Sequence, residues 1–493
     1  MPAHPLLRSL FAAFPFLCAQ ALHGAPLIGP VPSDEPSPAQ KAQIERKYGM
    51  FCHFGINTYA NEEWTDGTLK PSVYDPPADL EQKIDGWVKT AHDAGMRYFL
   101  CITKHHDGFC LWDSAQTTYD VGNPEVKNHL DVVKAVSQAC RKYGIGFAVY
   151  YSLWDRHEPA FADPVKYTAF AKTQLTELMK NYGPVCELWM DGSWVRPADQ
   201  WHLDEIYDTV KKLQPDCQIS TNWTIGVPGK PDTHNVTPDK QKDGYPVRYF
   251  PSDFRLSDPY LPVVPDPKHF THNGKSYYMP FEATVTVSAQ SHWFAHIGDT
   301  NAKSVDQLQE VFETATAQNN LMVFNIPPDR DGNLVPSQVE AIMELGKRLD
   351  LGPDKPFPKP RVNRAIGAKA TASATWNDPK DPNDYSAAMA VDGNPSTRWA
   401  CGPAGTTSAS FELELAKPSE FDRVVVSEYA DRTQRFSLEV GNGKVWKTVA
   451  TGTTLGARKE IKFAPVKASQ VRLKIEKSAD APSIAEFKVL GPT

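Results

Sequence analysis

Met96–Phe109 reads MRYFLCIT followed by KHHDGF, an apolar run of strand length that passes straight into a polar, histidine-rich loop. The run does not alternate, as expected of a parallel strand buried on both faces. The same pattern recurs along the chain at Tyr48–Ile56 (YGMFCHFGI), Gly146–Leu153 (GFAVYYSL), Val185–Asp191 (VCELWMD), Gln218–Trp223 (QISTNW), Tyr277–Val287 (YYMPFEATVTV) and Leu321–Ile326 (LMVFNI). Helix-period segments lie between these runs. Asp79–Ala94, Asn128–Tyr143 and Asp163–Tyr182 stop at Gly95, Gly144 and Gly183; Gln200–Leu213 stops before Pro215, and Ser304–Gln318 at Asn319. Glycine or asparagine just past the last turn supplies the left-handed cap. A strand–helix repeat over roughly 300 residues leaves a doubly wound sheet or a (β/α)8 barrel. The barrel is favoured because His53, His105, His106, Tyr151, Trp154, Asp191, Trp223 and Glu282 follow or end strands, and barrel enzymes build their sites on the C-terminal face. Seven strands are clear, so the eighth is expected in the Pro-rich stretch 245–270.

Beyond the barrel, Leu351–Pro360 (LGPDKPFPKP) reads as a stiff linker. After it come short alternating strands, such as Ser408–Leu415, Asp422–Ser427, Arg435–Val440 and Val471–Ile475, with no helical pattern. Residues 361–493 therefore predict a jelly-roll-like β-sandwich, and 22–350 the α/β TIM barrel. At the other end, Arg8 precedes the apolar run Ser9–Leu22 and the small-x-small end Ala19-Gln20-Ala21. These are the parts of a secretory signal over residues 1–21, too short for a transmembrane span. The expected location is exported: periplasmic, cell-surface or extracellular. With Cys18 removed, seven cysteines remain, an odd number with no zinc-like spacing, so disulfides are not expected to organise the fold. The balance of 52 Lys and Arg against 59 Asp and Glu gives a net charge of −7, which offers no lure to nucleic acid. The 12 Trp could line a sugar cleft or fill a large core.

Three clusters carry chemistry. His53, at the end of YGMFCHFG, is followed by Asn61-Glu62-Glu63-Trp64; such a loop can hydrogen-bond a hydroxylated ligand and stack on its apolar face. His105 and His106 follow the second strand. Two imidazoles can bind metal, but adjacent strand side chains point to opposite faces and no third ligand stands near, so hydroxyl recognition fits better. Asp191, in ELWMDG, ends a central strand where a carboxylate can attack an anomeric carbon or act as a base; a turn-capping role is the plain alternative.

Taken in order, YGMFCHFG, NEEW, KHHDGF, YYSLW, WMDG and the closing LMVFNIPPDRDGNL resemble glycoside hydrolase family 29, the α-L-fucosidases, over about residues 40–350. The resemblance implies a retaining exo-α-L-fucosidase that removes terminal α-linked L-fucose from glycans or glycoproteins and needs no metal for that step. It implies Asp191 as nucleophile, His53, His105 and His106 on the fucose hydroxyls, Glu63 and Trp64 in the first loop, and Tyr151, Trp189 and Trp293 as pocket aromatics. The acid/base departs from the family pattern: Asp253 and Glu282 are the leading candidates, with Asp258 behind. A carbohydrate-binding protein that has lost catalysis, or a hydrolase of a related sugar, are the alternatives.

The second module, from VNRAIGAKATASATW (Val362–Trp376) through AVDGNPSTRW (Ala390–Trp399) to IAEFKVLG (Ile484–Gly491), resembles a coagulation factor 5/8 type C, discoidin-like domain. Such modules on bacterial enzymes are often carbohydrate-binding modules of family 32. Asp392, Asn394, Thr397 and Glu486 supply oxygen ligands that suit a structural calcium, with an ion-free hydrogen-bonded loop as the alternative.

Overall fold

The computed structural model describes residues 26–394 and 397–492; the expected signal at 1–21 lies outside them. The first part is a nearly closed parallel barrel. Its strands are β1 (Tyr48–Cys52), β2 (Tyr98–Lys104), β3 (Gly146–Ser152), β4 (Glu187–Asp191), β5 (Gln218–Thr221), β6 (Arg255–Leu256), β7 (Phe281–Thr286) and β8 (Leu321–Asn325). Their spatial order is β5-β4-β3-β2-β1-β8-β7-β6. β6, the eighth strand, falls where the proline-rich stretch left room for it. It is two residues long, and no backbone ladder joins it to β5. Instead the seam is stitched by Asp253, whose backbone N–H donates to Ile219 O (2.7 Å) while its carboxylate accepts from Ile219 N (2.9 Å). Thr224 continues the seam, its hydroxyl accepting from Leu256 N at 2.8 Å. The strand expected over Tyr277–Val287 divides in two: Lys275–Tyr278 pairs with His269–His272 in an outer hairpin, and only Phe281–Thr286 joins the barrel.

The helices are α1 (Pro38–Arg46), α2 (Ile56–Ala60), α3 (Leu80–Asp93), α4 (Val132–Tyr143), α5 (Pro164–Asn181), α6 (Leu203–Leu213), α7 (Val305–Thr316) and α8 (Pro336–Arg348). Their ends are chemically specified. Asp131 caps α4 by accepting from Lys134 N, and Gly144 ends it at φ 67°. Asp163 caps α5 ahead of Pro164, and a Ser304–Gln307 capping box opens α7. The sequence reading did not anticipate α1, and the reason is composition: PAQKAQIER has almost no apolar face. It is held by amides instead. Gln40 donates to the carbonyls of Asp253 and Tyr278, and Gln43 donates to Glu187 at 2.8 Å, which closes the N-terminal end of the barrel.

The second part is an antiparallel sandwich of β9 (Val362–Asn363), β10 (Lys369–Ala372), β11 (Trp399–Ala400), β12 (Ala409–Glu428), β13 (Thr433–Asn442), β14 (Val445–Gly452), β15 (Lys459–Ser478) and β16 (Ser483–Gly491). The strands run β9-β16-β12-β15-β13-β14, with β10 on β12 and β11 on β16. Register shifts between Glu414 and Ser419 bend the long β12–β15 pair. Its core holds Trp399, Phe411, Phe421, Phe436 and Phe487. The sandwich docks on α7: Arg458, its side chain 5% exposed, meets Glu313 at 2.9 Å and Glu310 at 3.8 Å, and Lys488 also pairs with Glu310. The linker is pinned too, since Arg97 donates to the carbonyls of Pro353 and Lys355 and lies over the Phe357 ring. No helix among the described residues is long and apolar enough to cross a membrane.

Candidate active site

The C-terminal mouth of the barrel collects the chemistry. Asp191, the last residue of β4, is buried, with Oδ2 accepting from the Tyr150 hydroxyl (2.8 Å) and Oδ1 from Asn222 Nδ2 (3.1 Å). Burial pushes its carboxyl up to about 6, against these two hydrogen bonds and the Gly192 N–H, which pull it down. His106 Nε2 stands 3.7 Å from Oδ2.

Two more imidazoles, His53 and His105, cluster with His106 around Tyr150, and the network assigns a tautomer to each of the three. Asn325 Nδ2 donates to Trp293 O, so its Oδ1 faces His53 Nδ1 (2.8 Å) as an acceptor; His53 carries its proton on Nδ1 and presents a lone pair at Nε2. Ser152 donates its hydroxyl to Trp154 O, so its oxygen accepts from His106 Nδ1 (2.6 Å), and His106 Nε2 is also a lone pair. Asn57 is turned the other way: Thr65 donates to its oxygen, so its amide nitrogen donates to His105 Nδ1 (3.2 Å) and His105 Nε2 carries the proton. The three Nε2 atoms are thus two acceptors and one donor. Burial pulls His53 and His106 down to about 3, and pulls His105 well below the ordinary range with help from its two histidine neighbours. All three stay neutral at pH 7, the state in which an imidazole can accept from a hydroxyl.

His105 and His106 enter the pocket together, their ring centroids 4.3 Å apart. Strand alternation does not separate them because β2 ends at Lys104, after a register shift between Ile102 and Lys104. Trp64, half exposed, sets its edge against His106 (5.4 Å) and Trp154 (5.9 Å) at the rim. Trp189 stacks beneath Tyr150 at 5.4 Å, in the layer under Asp191. Trp293 lies 5.2 Å from His53 and donates its backbone N–H to the Glu63 carboxylate (3.0 Å). Burial raises the Glu63 carboxyl.

Three expectations are corrected. Tyr151 is not a pocket aromatic. It faces outward to α5, where its hydroxyl donates to Gln174 (2.8 Å) and accepts from the buried Lys104 ammonium (3.0 Å), which is paired with Asp155 at 2.7 Å. Desolvation works against that ammonium, yet Asp155, Tyr151 and Tyr167 of α5 outweigh it and hold its pKa well above the usual range. Asp253 is not free to transfer a proton: besides stitching the seam, it accepts from Tyr207 OH (2.7 Å) and pairs with Lys211 (2.8 Å), both on α6. Glu282 lies at the wrong end. It sits opposite Leu321, the first residue of β8, and accepts from Tyr98 OH at 2.7 Å. Burial and then the charge of Glu187 push it well above the carboxylate range. Glu187 opens β4 and Asp191 closes it, roughly 13 Å along the strand.

Asp258, ranked last from sequence, is the carboxyl at the mouth. Its backbone N–H donates to Asn222 Oδ1 (3.1 Å), so Asn222 spans from Asp258 to Asp191. Its Oδ1 is buried with no hydrogen-bond partner, and burial, then the charge of Asp191, pushes it well above the ordinary range. Sequence reasoning also missed Tyr150, Asn222, Asn57, Asn325, Ser152 and Phe294. The last of these sets its ring edge-on against His53 (5.3 Å) and His105 (4.9 Å).

In the sandwich, Thr397 donates to Asp392 (2.8 Å), whose carboxylate also accepts from Asn394 N (2.9 Å). Glu486 is 4% exposed with neither oxygen partnered, and burial pushes it up to about 8, with Glu310 and Asp392 adding to the rise.

A parallel barrel whose C-terminal mouth holds one hydrogen-bonded and one desolvated carboxyl, ringed by neutral imidazoles and indoles, is the architecture of a glycoside hydrolase. The profile of the family described as Alpha-L-fucosidase matches residues 82–352, more than half of the chain, and that described as F5/8 type C domain matches 369–487. The chain therefore belongs to the α-L-fucosidase family, with an F5/8 type C domain behind the barrel. The Arabidopsis thaliana protein "Alpha-L-fucosidase 1" is 26% identical over 481 residues, spanning 94% of this chain and 88% of its own. The Rattus norvegicus "Tissue alpha-L-fucosidase" is 24% identical over 358 residues, spanning 65% and 70%. A solved structure of a Ruminococcus gnavus GH29 fucosidase in complex with fucose shares the fold at TM-score 0.52 and 23% identity, covering 96% of this chain and 98% of that one.

Proposed function

We propose that the protein is a retaining exo-α-L-fucosidase acting on fucosylated glycans, with Asp191 as nucleophile and Asp258 as acid/base. The observation that carries this reading is the contrast between a doubly hydrogen-bonded Asp191 and an Asp258 whose buried Oδ1 has no hydrogen-bond partner, the two joined by Asn222. With its carboxyl near 6, Asp191 is mostly ionised at pH 7 and attacks the anomeric carbon. Asp258 keeps its proton and delivers it to the leaving oxygen. Once Asp191 is esterified its charge is gone, and with it one cause of the raised Asp258 pKa. Asp258 then suits the second half-reaction, in which it takes a proton from the water that hydrolyses the ester. His53 and His106 accept from sugar hydroxyls, His105 donates to one, and the Phe294 edge suits a deoxygenated carbon.

Azide separates the two roles. On an aryl α-L-fucoside, Asp191→Ala with azide should yield the inverted β-fucosyl azide, and Asp258→Ala the retained α-fucosyl azide. Wild-type speed from Asp258→Ala on a poor leaving group would remove it as the acid; binding of fucosides without turnover by wild type would remove the enzyme reading altogether.

We also propose export by the signal at 1–21, read as a mature N-terminus near residue 22, and glycan targeting by the sandwich. A structural calcium held by Asp392, Asn394, Thr397 and Glu486 is part of the same proposal, supported by the two orphaned Glu486 oxygens.

A further inference from the structure

The loop between β7 and α7 sets two further histidines against Glu63 at the edge of the site. His292 and His296 stack with centroids 4.2 Å apart, and His296 Nε2 lies 3.0 Å from Glu63 Oε1 on the opposite loop. One donor atom from each of the three side chains falls within 4.8 Å of the other two. Asp299, buried behind them, accepts from His292 Nδ1 (2.8 Å) and from His296 N (3.1 Å). A carboxylate on Nδ1 leaves the lone pair of His292 on Nε2, and metal-ligating imidazoles are oriented by such a carboxylate on the other ring nitrogen. The scaffold is held firmly: Lys303 ties the base of the loop to the Thr286 and Ser288 carbonyls, and Ile297 N donates to Asn61 Oδ1 (2.6 Å).

We propose that Glu63, His292 and His296 form a binding site for a divalent transition-metal ion of the zinc class. Two imidazoles and one carboxylate suit zinc, whereas calcium and magnesium select all-oxygen sites. A bound ion would clamp the loop after β7 to the loop after β1. Because the family resemblance puts Glu63 in the loop that faces the sugar in the proposed fucosidase, the ion would also compete with the glycone.

Calorimetric titration of the full chain with zinc chloride, without sugar, tests the site independently of any hydrolytic activity. One zinc should bind per chain, calcium should not displace it, and cobalt should give the visible absorption of a four-coordinate ion. His292→Ala should weaken zinc by about 100-fold or more and Asp299→Asn by about 10–100-fold. Should a variant fail to fold, wild type still answers, because zinc should protect His292 and His296 from diethylpyrocarbonate as read by mass spectrometry. In kinetics, zinc should raise KM and leave kcat unchanged. No zinc binding, binding untouched in His292→Ala, or no protection would overturn the proposal and leave a plain ion pair between two loops.

Discussion

The neighbouring tyrosines of β3 make opposite predictions. Tyr150 donates to Asp191 at 2.8 Å and is one of the two side chains that hold its pKa down against burial. A hydrogen bond to a charged group contributes about 1.5–3 kcal/mol, and about 1.4 kcal/mol corresponds to one pH unit in a pKa. Tyr150→Phe should therefore move Asp191 from about 6 to roughly 7–8. Because the ionised form attacks, the acidic limb of the kcat/KM profile should move up by the same amount. Activity at pH 7 should drop about 2- to 10-fold from ionisation alone, with recovery as pH rises until Asp258 loses its proton. Tyr151→Phe should leave the acidic limb in place and instead lower stability by about 1–2 kcal/mol, because Lys104 and Gln174 lose a buried partner. The assay is the pH dependence of aryl fucoside hydrolysis beside denaturant melts of both variants. An acidic limb that moves in Tyr151→Phe and stays in Tyr150→Phe would refute the assigned facing of the strand.

Four further outcomes follow from the structure. Asp258→Asn should slow substrates with poor leaving groups by about 10²–10⁴-fold, while Glu282→Gln, at the opposite end of the barrel, should leave turnover within about twofold of wild type. Asp191→Asn should stabilise the fold at pH 7 and not at pH 4: its folded pKa of about 6 lies above the ordinary 3.8, so wild type loses stability as pH rises through that window, by up to ~3 kcal/mol. Arg458→Ala strips the cation from Glu310, Glu313 and Glu460, which are 19–30% exposed; a loss of about 2–3 kcal/mol, below that of a fully buried pair, should show as easier proteolysis of the linker with turnover intact. If calcium binds the sandwich, a chelator should lower the melting temperature of wild type and leave Glu486→Gln unmoved.

The barrel was legible because most strands are separate apolar runs and several of the helices between them stop at Gly95, Gly144 and Gly183, and even the weak eighth strand announced itself as a gap. What stayed hidden was polar. Helix α1 docks through Gln40 and Gln43, a pattern that carries no hydrophobic period. The asparagines that set two of the histidine tautomers, Asn57 and Asn325, act through hydrogen bonds to His105 and His53, 48 and 272 residues away in sequence. No local spacing encodes such pairs. Asp191 and the histidines stand out in the sequence because they end or follow apolar strands; their hydrogen-bond partners carry no such signal.

One elementary rule would have sorted the misassigned residues: side chains along a strand alternate between the barrel interior and the helices outside. Asp253 and Asp258 are five apart, so they take opposite faces. Tyr207 and Lys211 of α6 claim Asp253 for the outside, and Arg255, of the same parity, reaches out to Asp266 at 2.6 Å. Phe254 and Leu256 take the other face, and Asp258 continues their row to the mouth. The same parity sends Tyr150 to Asp191 and Tyr151 to Lys104. Position then decides what desolvation does to each carboxyl. Asp253 is buried but compensated by an ammonium and two donors, so it stitches a seam. Glu282 is buried and raised, but it lies at the opposite end of the barrel from Asp191, hydrogen-bonded to Glu187. Asp258 alone combines burial, an unpartnered oxygen and the nearby charge of Asp191 with a place at the open end. Those four conditions suit the general acid proposed above, and they meet just past the strand too short to be recognised by its sequence.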